Sequence, residues 1–182
     1  GVQTCALPIS KATISGTITS CSTGQPISAA AVVGTGGYHR LTPSNGTYSM
    51  VVSPGSYSIS ASKSLGYLGD SQNTTVTSGG TATVNICLQG VAVLSATTPT
   101  LSSESCGTQN NSPDPGEQIT ATLPISNIGG AGTSNLVATL RATGGVQTAV
   151  TQNYGAVSAA GGTASRNFTF RVNSSHTCGS PV

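Results

Sequence analysis

The chain has 182 residues, a net charge of +2 and charged residues at only 5%, against about 25% in an average soluble protein. Six Lys/Arg in all form no phosphate-binding stripe, which argues against nucleic acid as a partner. No apolar run reaches the roughly 20 residues of a membrane-spanning helix.

The composition is dominated by 54 Ser and Thr and 24 Gly, with no Trp. Good helix formers never cluster, and no 3.6-residue apolar period lasts three turns. The chain therefore reads as all-β. It lacks an initiator Met and a secretory signal, and Cys178-Gly179-Ser180-Pro181-Val182 follows a turn signal. The expectation is a piece of a longer polypeptide.

Gly1-Val2-Gln3-Thr4-Cys5-Ala6-Leu7-Pro8-Ile9 resembles a translated short-read sequencing adapter. The codons GGA GTT CAG ACG TGT GCT CTT CCG ATC read as those residues in order. Residues 1–10 are treated as a non-native leader and set aside, and Cys5 with them.

From residue 11 the elements follow quickly. Ala12, Ile14 and Ile18 alternate with Thr13, Ser15, Thr17 and Thr19, a strand with one apolar face. Ala29 to Gly34 is a short second strand. Asn45-Gly46 is a tight hairpin signal, followed by Thr47 to Val52. Pro54-Gly55 is the next turn, and Tyr57 to Ala61 alternates again. Thr74-Val76 and Ala82 to Leu88 flank a Gly79-Gly80 turn. This spacing is that of a β-sandwich.

Val91 to Leu101 is expected to be a linker and the first strand of a second module. Asn110 to Gly116 reads as a loop. Gln118 to Ile128 is a long strand with Ile119, Ala121, Leu123 and Ile125 on one face; Pro124 within it predicts an edge position or a bulge. Asn135 to Ala142, Val146 to Val150 and Arg166 to Val172 are further strands. Phe168, Phe170 and Val172 point inward. About five strands result, so the second sandwich is expected to be truncated at its C-terminus.

Ile14-Ser15-Gly16-Thr17-Ile18, Gln25-Pro26-Ile27-Ser28-Ala29-Ala30-Ala31-Val32, Asn45-Gly46-Thr47-Tyr48, Pro54-Gly55-Ser56-Tyr57 and Gly66-Tyr67 occur in order. Together they resemble the carboxypeptidase regulatory-like domain over about residues 12–89. The resemblance implies a transthyretin-like β-sandwich without catalytic residues, found beside peptidase domains and in bacterial surface and secreted proteins. Asp114-Pro115-Gly116-Glu117, Ser126-Asn127-Ile128-Gly129 and Asn135-Leu136-Val137-Ala138-Thr139-Leu140 are similar to Ig-like, adhesion-related accessory domains of bacterial secreted proteins. The expected order is a leader over 1–10, a regulatory-like sandwich over 11–90, a linker and first strand over 91–100, and an Ig-like sandwich over 101–182.

Cys21, Cys87, Cys106 and Cys178 remain, two per module, and four cysteines allow three connectivities. The modular reading selects Cys21–Cys87 and Cys106–Cys178. Each closes a loop of roughly 70 residues, worth about 4 kcal/mol in the chain-entropy model. A zinc site needs close Cys pairs, and none exists. Disulfides imply an oxidising compartment.

Catalysis finds little support. The two histidines, His39 and His176, lie in different modules, too few ligands for a catalytic zinc. No Gly-x-Ser-x-Gly elbow appears. Asp114 and Glu117 are a weak calcium candidate with Asn110 and Asn111; the simpler reading makes Pro115-Gly116 a turn and Glu117 the start of a strand. Asp70 is a loop residue. Tyr48 and Tyr57 are expected in the core with their hydroxyls on backbone, leaving Tyr38 and Tyr67 as weak ligand-binding candidates. Sequons at Asn45, Asn73, Asn110, Asn167 and Asn173 are the chance product of an Asn/Ser/Thr-rich chain.

The reading is a non-catalytic accessory or spacer module, without a cofactor, from a secreted or surface-exposed bacterial protein. Its partners are neighbouring domains of the same polypeptide. The alternative is a module that binds polysaccharide or a surface protein. Exposed coplanar aromatics favour the alternative; buried tyrosines favour the spacer.

Overall fold

The computed structural model describes residues 10–105, 110–177 and 182. They form strands and turns with no helix, in two compact units that divide between Val91 and Ala92.

The first unit has eight strands: β1 (Ala12–Ser20), β2 (Ala31–Gly34), β3 (Tyr38–Leu41), β4 (Thr47–Val52), β5 (Gly55–Ser62), β6 (Asp70–Val76), β7 (Thr81–Thr83) and β8 (Ile86–Leu88). One sheet has β1 at its centre, with β4 antiparallel on one side. On the other side β7 and β8 run parallel to β1, β7 along its first half and β8 along its second. The second sheet runs β3-β2-β5-β6, antiparallel throughout. Period-2 alternation puts Ile14, Ile18, Val32, Met50, Ile59 and Leu88 into the core between them.

Between β7 and β8 the chain stays beside the middle of β1, in the same register on the same side. Val84 N–H donates to Ser15 O at 2.8 Å. The Asn85 side-chain oxygen accepts the Thr17 N–H at 2.9 Å. A Cβ on Gly16 would overlap the Val84 carbonyl oxygen and lie 2.6 Å from its carbon. This close approach is possible because residue 16 has no side chain.

Asn45-Gly46 is a turn but not a hairpin. Gly46 N–H donates to Pro43 O, and the chain passes from β3 in one sheet to β4 in the other. Pro54-Gly55 likewise carries it from β4 to β5, between sheets.

The second unit has six strands: β9 (Leu94–Ala96), β10 (Thr100–Glu104), β11 (Gln118–Asn127), β12 (Leu136–Leu140), β13 (Val150–Gly155) and β14 (Gly162–Arg171). β11 is central. It pairs with β14 along its whole length, and with β10 and then β9 on the other side. β12 and β13 make a separate two-stranded sheet. Ile119, Ile125, Tyr154, Phe168, Phe170 and Val172 are buried together.

Two strand expectations change here. Val146 is buried and bridges Val172 as an isolated pair, while the strand lies at Val150–Gly155. Pro124 is in a central strand, not at an edge. Its carbonyl accepts Thr97 N–H, so its nitrogen faces the same side, where pairing passes from β9 to β10. The missing donor falls at that break, which is how a central strand accommodates proline.

Candidate functional site

Cys21 and Cys87 form a disulfide. Thr19 pairs with Cys87 in the β1·β8 ladder, so the bond lies where the first strand of the unit ends beside the last. Cys5, Cys106 and Cys178 lie outside the described residues.

Asp114-Pro115-Gly116-Glu117 is a β-turn. Glu117 N–H donates to Asp114 O at 3.1 Å, and Gly116 has φ +81°, the left-handed conformation a type II turn requires after proline. Glu117 is 2% exposed, and its Oε2 accepts Asp114 N–H at 3.1 Å. Asp114 Oδ2 accepts the Asn110 side-chain amide at 3.1 Å. Glu104, which no sequence motif marks, reaches the same loop from β10. Its Oε2 accepts the Asn110 and Asn111 N–H groups, and its Oε1 is buried without a hydrogen-bond partner. These carboxylates serve backbone and side-chain N–H donors of the loop. Among the described residues no three His, Cys, Asp or Glu side chains are grouped to hold a metal ion.

None of the five tyrosines is exposed. Tyr48 is buried against Gly16, with its hydroxyl donating to Val84 O at 2.7 Å. Burial pushes its pKa up to about 12. Tyr154 donates to Leu123 O at 2.8 Å and lies under the Arg166 guanidinium, 5.7 Å from the ring centre. Burial raises its pKa and the arginine charge opposes the rise. Tyr57 is half-buried and donates to Ser53 O at 2.7 Å. Tyr38 and Tyr67 are half-buried and pack on the first core. Tyr38 meets Tyr57 edge-to-face, 5.8 Å apart at 72°. Tyr67 bridges Gly90. No pair is coplanar and open to solvent.

His39 is exposed in β3, its partner in the β2·β3 ladder being Val33. His176 is half-buried in the second unit. Asp70 opens β6, and its carboxylate accepts the next N–H, that of Ser71. The five sequon asparagines are all exposed.

The second unit also has an apolar groove of about 310 Å³, lined by Leu101, Leu123, Leu140, Val146, Phe168 and Phe170 among others. Among the described residues of its lining, Thr139 is the one polar side chain. Ligand sites normally add several convergent polar groups to fix orientation.

The order of motifs, the parallel closing strand and the disulfide all fall within one sandwich. Residues 13–89 match the carboxypeptidase regulatory-like domain. This regulatory-like match covers the first unit alone. No curated protein matches the chain. Among solved structures, a DUF3823 family protein from Parabacteroides merdae is 16% identical, covering 91% of this chain and 83% of its own, with a TM-score of 0.39. A second, from Bacteroides ovatus, is 16% identical over 90% of this chain and 82% of its own, TM-score 0.37. A Bacteroides uniformis structure titled "putative carbohydrate binding protein" is 15% identical over 90% and 80%, TM-score 0.38.

Proposed function

We propose that the chain is a non-catalytic accessory module of a secreted or surface-exposed protein, spacing or presenting a neighbouring domain, a peptidase among the possibilities. One observation carries this reading: three tyrosine hydroxyls and the carboxylates of one loop are engaged in holding the fold. The tyrosine hydroxyls of Tyr48, Tyr57 and Tyr154 bond backbone carbonyls. The carboxylates of Glu104, Asp114 and Glu117 accept N–H groups of one loop. Hydrolysis needs a nucleophile or activated water, a base and a charge stabiliser within a few ångströms, and the described residues bring no such set together. The regulatory-like match and the disulfide support an accessory role in an oxidising compartment.

The test is turnover and binding by the purified chain. No peptidase or glycosidase activity is expected, with or without added zinc or calcium. Turnover abolished by His39→Ala or His176→Ala overturns the reading. Polysaccharide binding is expected to be weak, because no aromatic platform is open. Saturable binding lost on Tyr38→Ala or Tyr67→Ala replaces the spacer with the binding module.

A further inference from the structure

β1 opens the first unit, and β8 closes it. The two are parallel, with Ile18 beside Ile86, Thr19 beside Cys87 and Ser20 beside Leu88. Cys21, one residue past β1, is bonded to Cys87 within β8. A covalent path therefore runs from Lys11 along β1 to Cys21 and crosses the disulfide to Cys87. It then continues in the same direction through Leu88. Because Cys87 lies level with Thr19, the disulfide steps back by about two residues, and the path then resumes the same direction because the paired strands are parallel.

That path is close to taut in the folded state. A strand already rises about 3.3 Å per residue, against a limit of about 3.6 Å for a fully extended chain. Pulling its ends apart gains little length. Strands β2 to β7 lie on the loop that the disulfide closes. β1 itself is held on both sides, by β4 and by β7 with β8, and Ile14 and Ile18 are wholly buried beneath it.

We propose that the first unit is a tension-bearing link. End-to-end load passes through β1, the Cys21–Cys87 bond and the end of β8, and bypasses the rest of the sandwich. This deepens the accessory reading, on which its biological use rests; the mechanical behaviour stands on the strand directions and the bond alone. A link of this kind holds a neighbouring domain under load without lengthening as its own fold opens.

The experiment is single-molecule pulling of the full oxidised chain, with handles at residues 1 and 182. Any step from the second unit is common to wild type and to the double variant C21S/C87S. Wild type is expected to show no extension step from the first unit. The variant is expected to gain one longer by roughly 240 Å, from a cysteine separation of 66 residues at about 3.6 Å each. A second geometry guards against a variant that fails to fold. In wild type, handles at residue 1 and Ser53 place one attachment inside the disulfide loop, in the turn after β4. The load must then cross the β1·β4 pairing, and a step is expected. A wild-type end-to-end step of the variant's length overturns the proposal. So does the absence of any step in the Ser53 geometry, because silence end-to-end would then come from an unfolded unit. Neither outcome depends on turnover or sugar binding, so failure here is separable from failure of the accessory reading.

Discussion

Replacing Gly16 with alanine tests whether the close contact of Val84 with β1 organises the first sandwich. The added methyl overlaps the Val84 carbonyl and comes within 3.0 Å of the Tyr48 ring. The obstructing atoms are backbone, so they cannot rotate away. If Val84 moves, three bonds stretch together: Tyr48 hydroxyl to Val84 O at 2.7 Å, Val84 N–H to Ser15 O at 2.8 Å, and Thr17 N–H to Asn85 Oδ1 at 2.9 Å. Each is worth about 1 kcal/mol net, and overpacking adds about 1–3 kcal/mol. Alanine recovers about 0.5–1 kcal/mol of the conformational entropy that glycine loses in a strand. The expected net loss is about 3–5 kcal/mol. For a domain of this size that lowers the melting temperature by more than about 10 °C. Calorimetry of the full chain should show the first unit's transition fall while the second unit's stays in place. A loss under about 1 kcal/mol would refute the reasoning, because the chain would then relax around a methyl at this close contact.

Tyr48→Phe removes the hydroxyl that satisfies Val84 O and should cost about 1 kcal/mol in urea unfolding. The folded pKa of Tyr48 is raised to about 12 from 10.0, so this stabilisation is fully present below pH 10 and is lost as pH rises towards 12. Wild-type stability should fall by up to about 1.4 kcal/mol per pH unit across that window, and Tyr48→Phe should flatten the fall; an unchanged slope counts against the burial argument. Asn127 is wholly buried, accepting Val93 and Gly129 N–H and donating to Ala131 and Val157 O. Asn127→Ala should therefore lower the second unit's stability by about 2–4 kcal/mol, since buried partners left unpaired cost about 1–3 kcal/mol each; a neutral effect would show that water replaces the amide. C21S/C87S should lower the first unit's thermal stability by about 4 kcal/mol, the closure entropy of its loop, and an unchanged transition would mean that the bond does not restrain the unfolded chain.

Local alternation was legible because it depends only on the pleat. Ala12, Ile14 and Ile18 face one core, and Phe168, Phe170 and Val172 another. Partner choice was not legible. Asn45-Gly46 and Pro54-Gly55 announce turns, but turn chemistry sets dihedral angles and not the sheet the chain enters next. Both lead across the sandwich, and neither closes a hairpin. Pro124 misled for a related reason. The rule concerns one missing donor, and a strand whose neighbours change midway can hide that donor at the change. The stretch from Val146 to Val150 carries no strong period, and Tyr154 anchors the true strand. Gly16 stood in the sequence as one residue of a motif; its reason, the backbone passing over it, is a non-local contact.

The candidate site follows from what the chain has to build with. Two Phe, five Tyr and no Trp are its aromatic stock. Two sandwich cores need large side chains, and aliphatic residues supply most of them. Tyrosine then enters the core because it brings volume with a donor that nearby backbone carbonyls can use. In the first unit Tyr48 ties β4 to the segment between β7 and β8 at Val84 O, and in the second Tyr154 ties β13 to β11 through Leu123 O. Tyr38, Tyr57 and Tyr67 finish the packing at the margin of the first core. A chain that engages its tyrosines this way leaves none fully exposed, and Ser, Thr and Asn fill many of its outward strand positions, beside aliphatic residues such as Val33, Leu41 and Val51. The outer rungs are hydroxyls bonded to their neighbours across the ladder, as in Thr120 with Thr169 and Thr139 with Thr151. Such a surface is hydrated without charge. The same economy that draws the tyrosines towards the cores therefore leaves an exterior of low charge and many hydroxyls, in keeping with the proposed accessory reading.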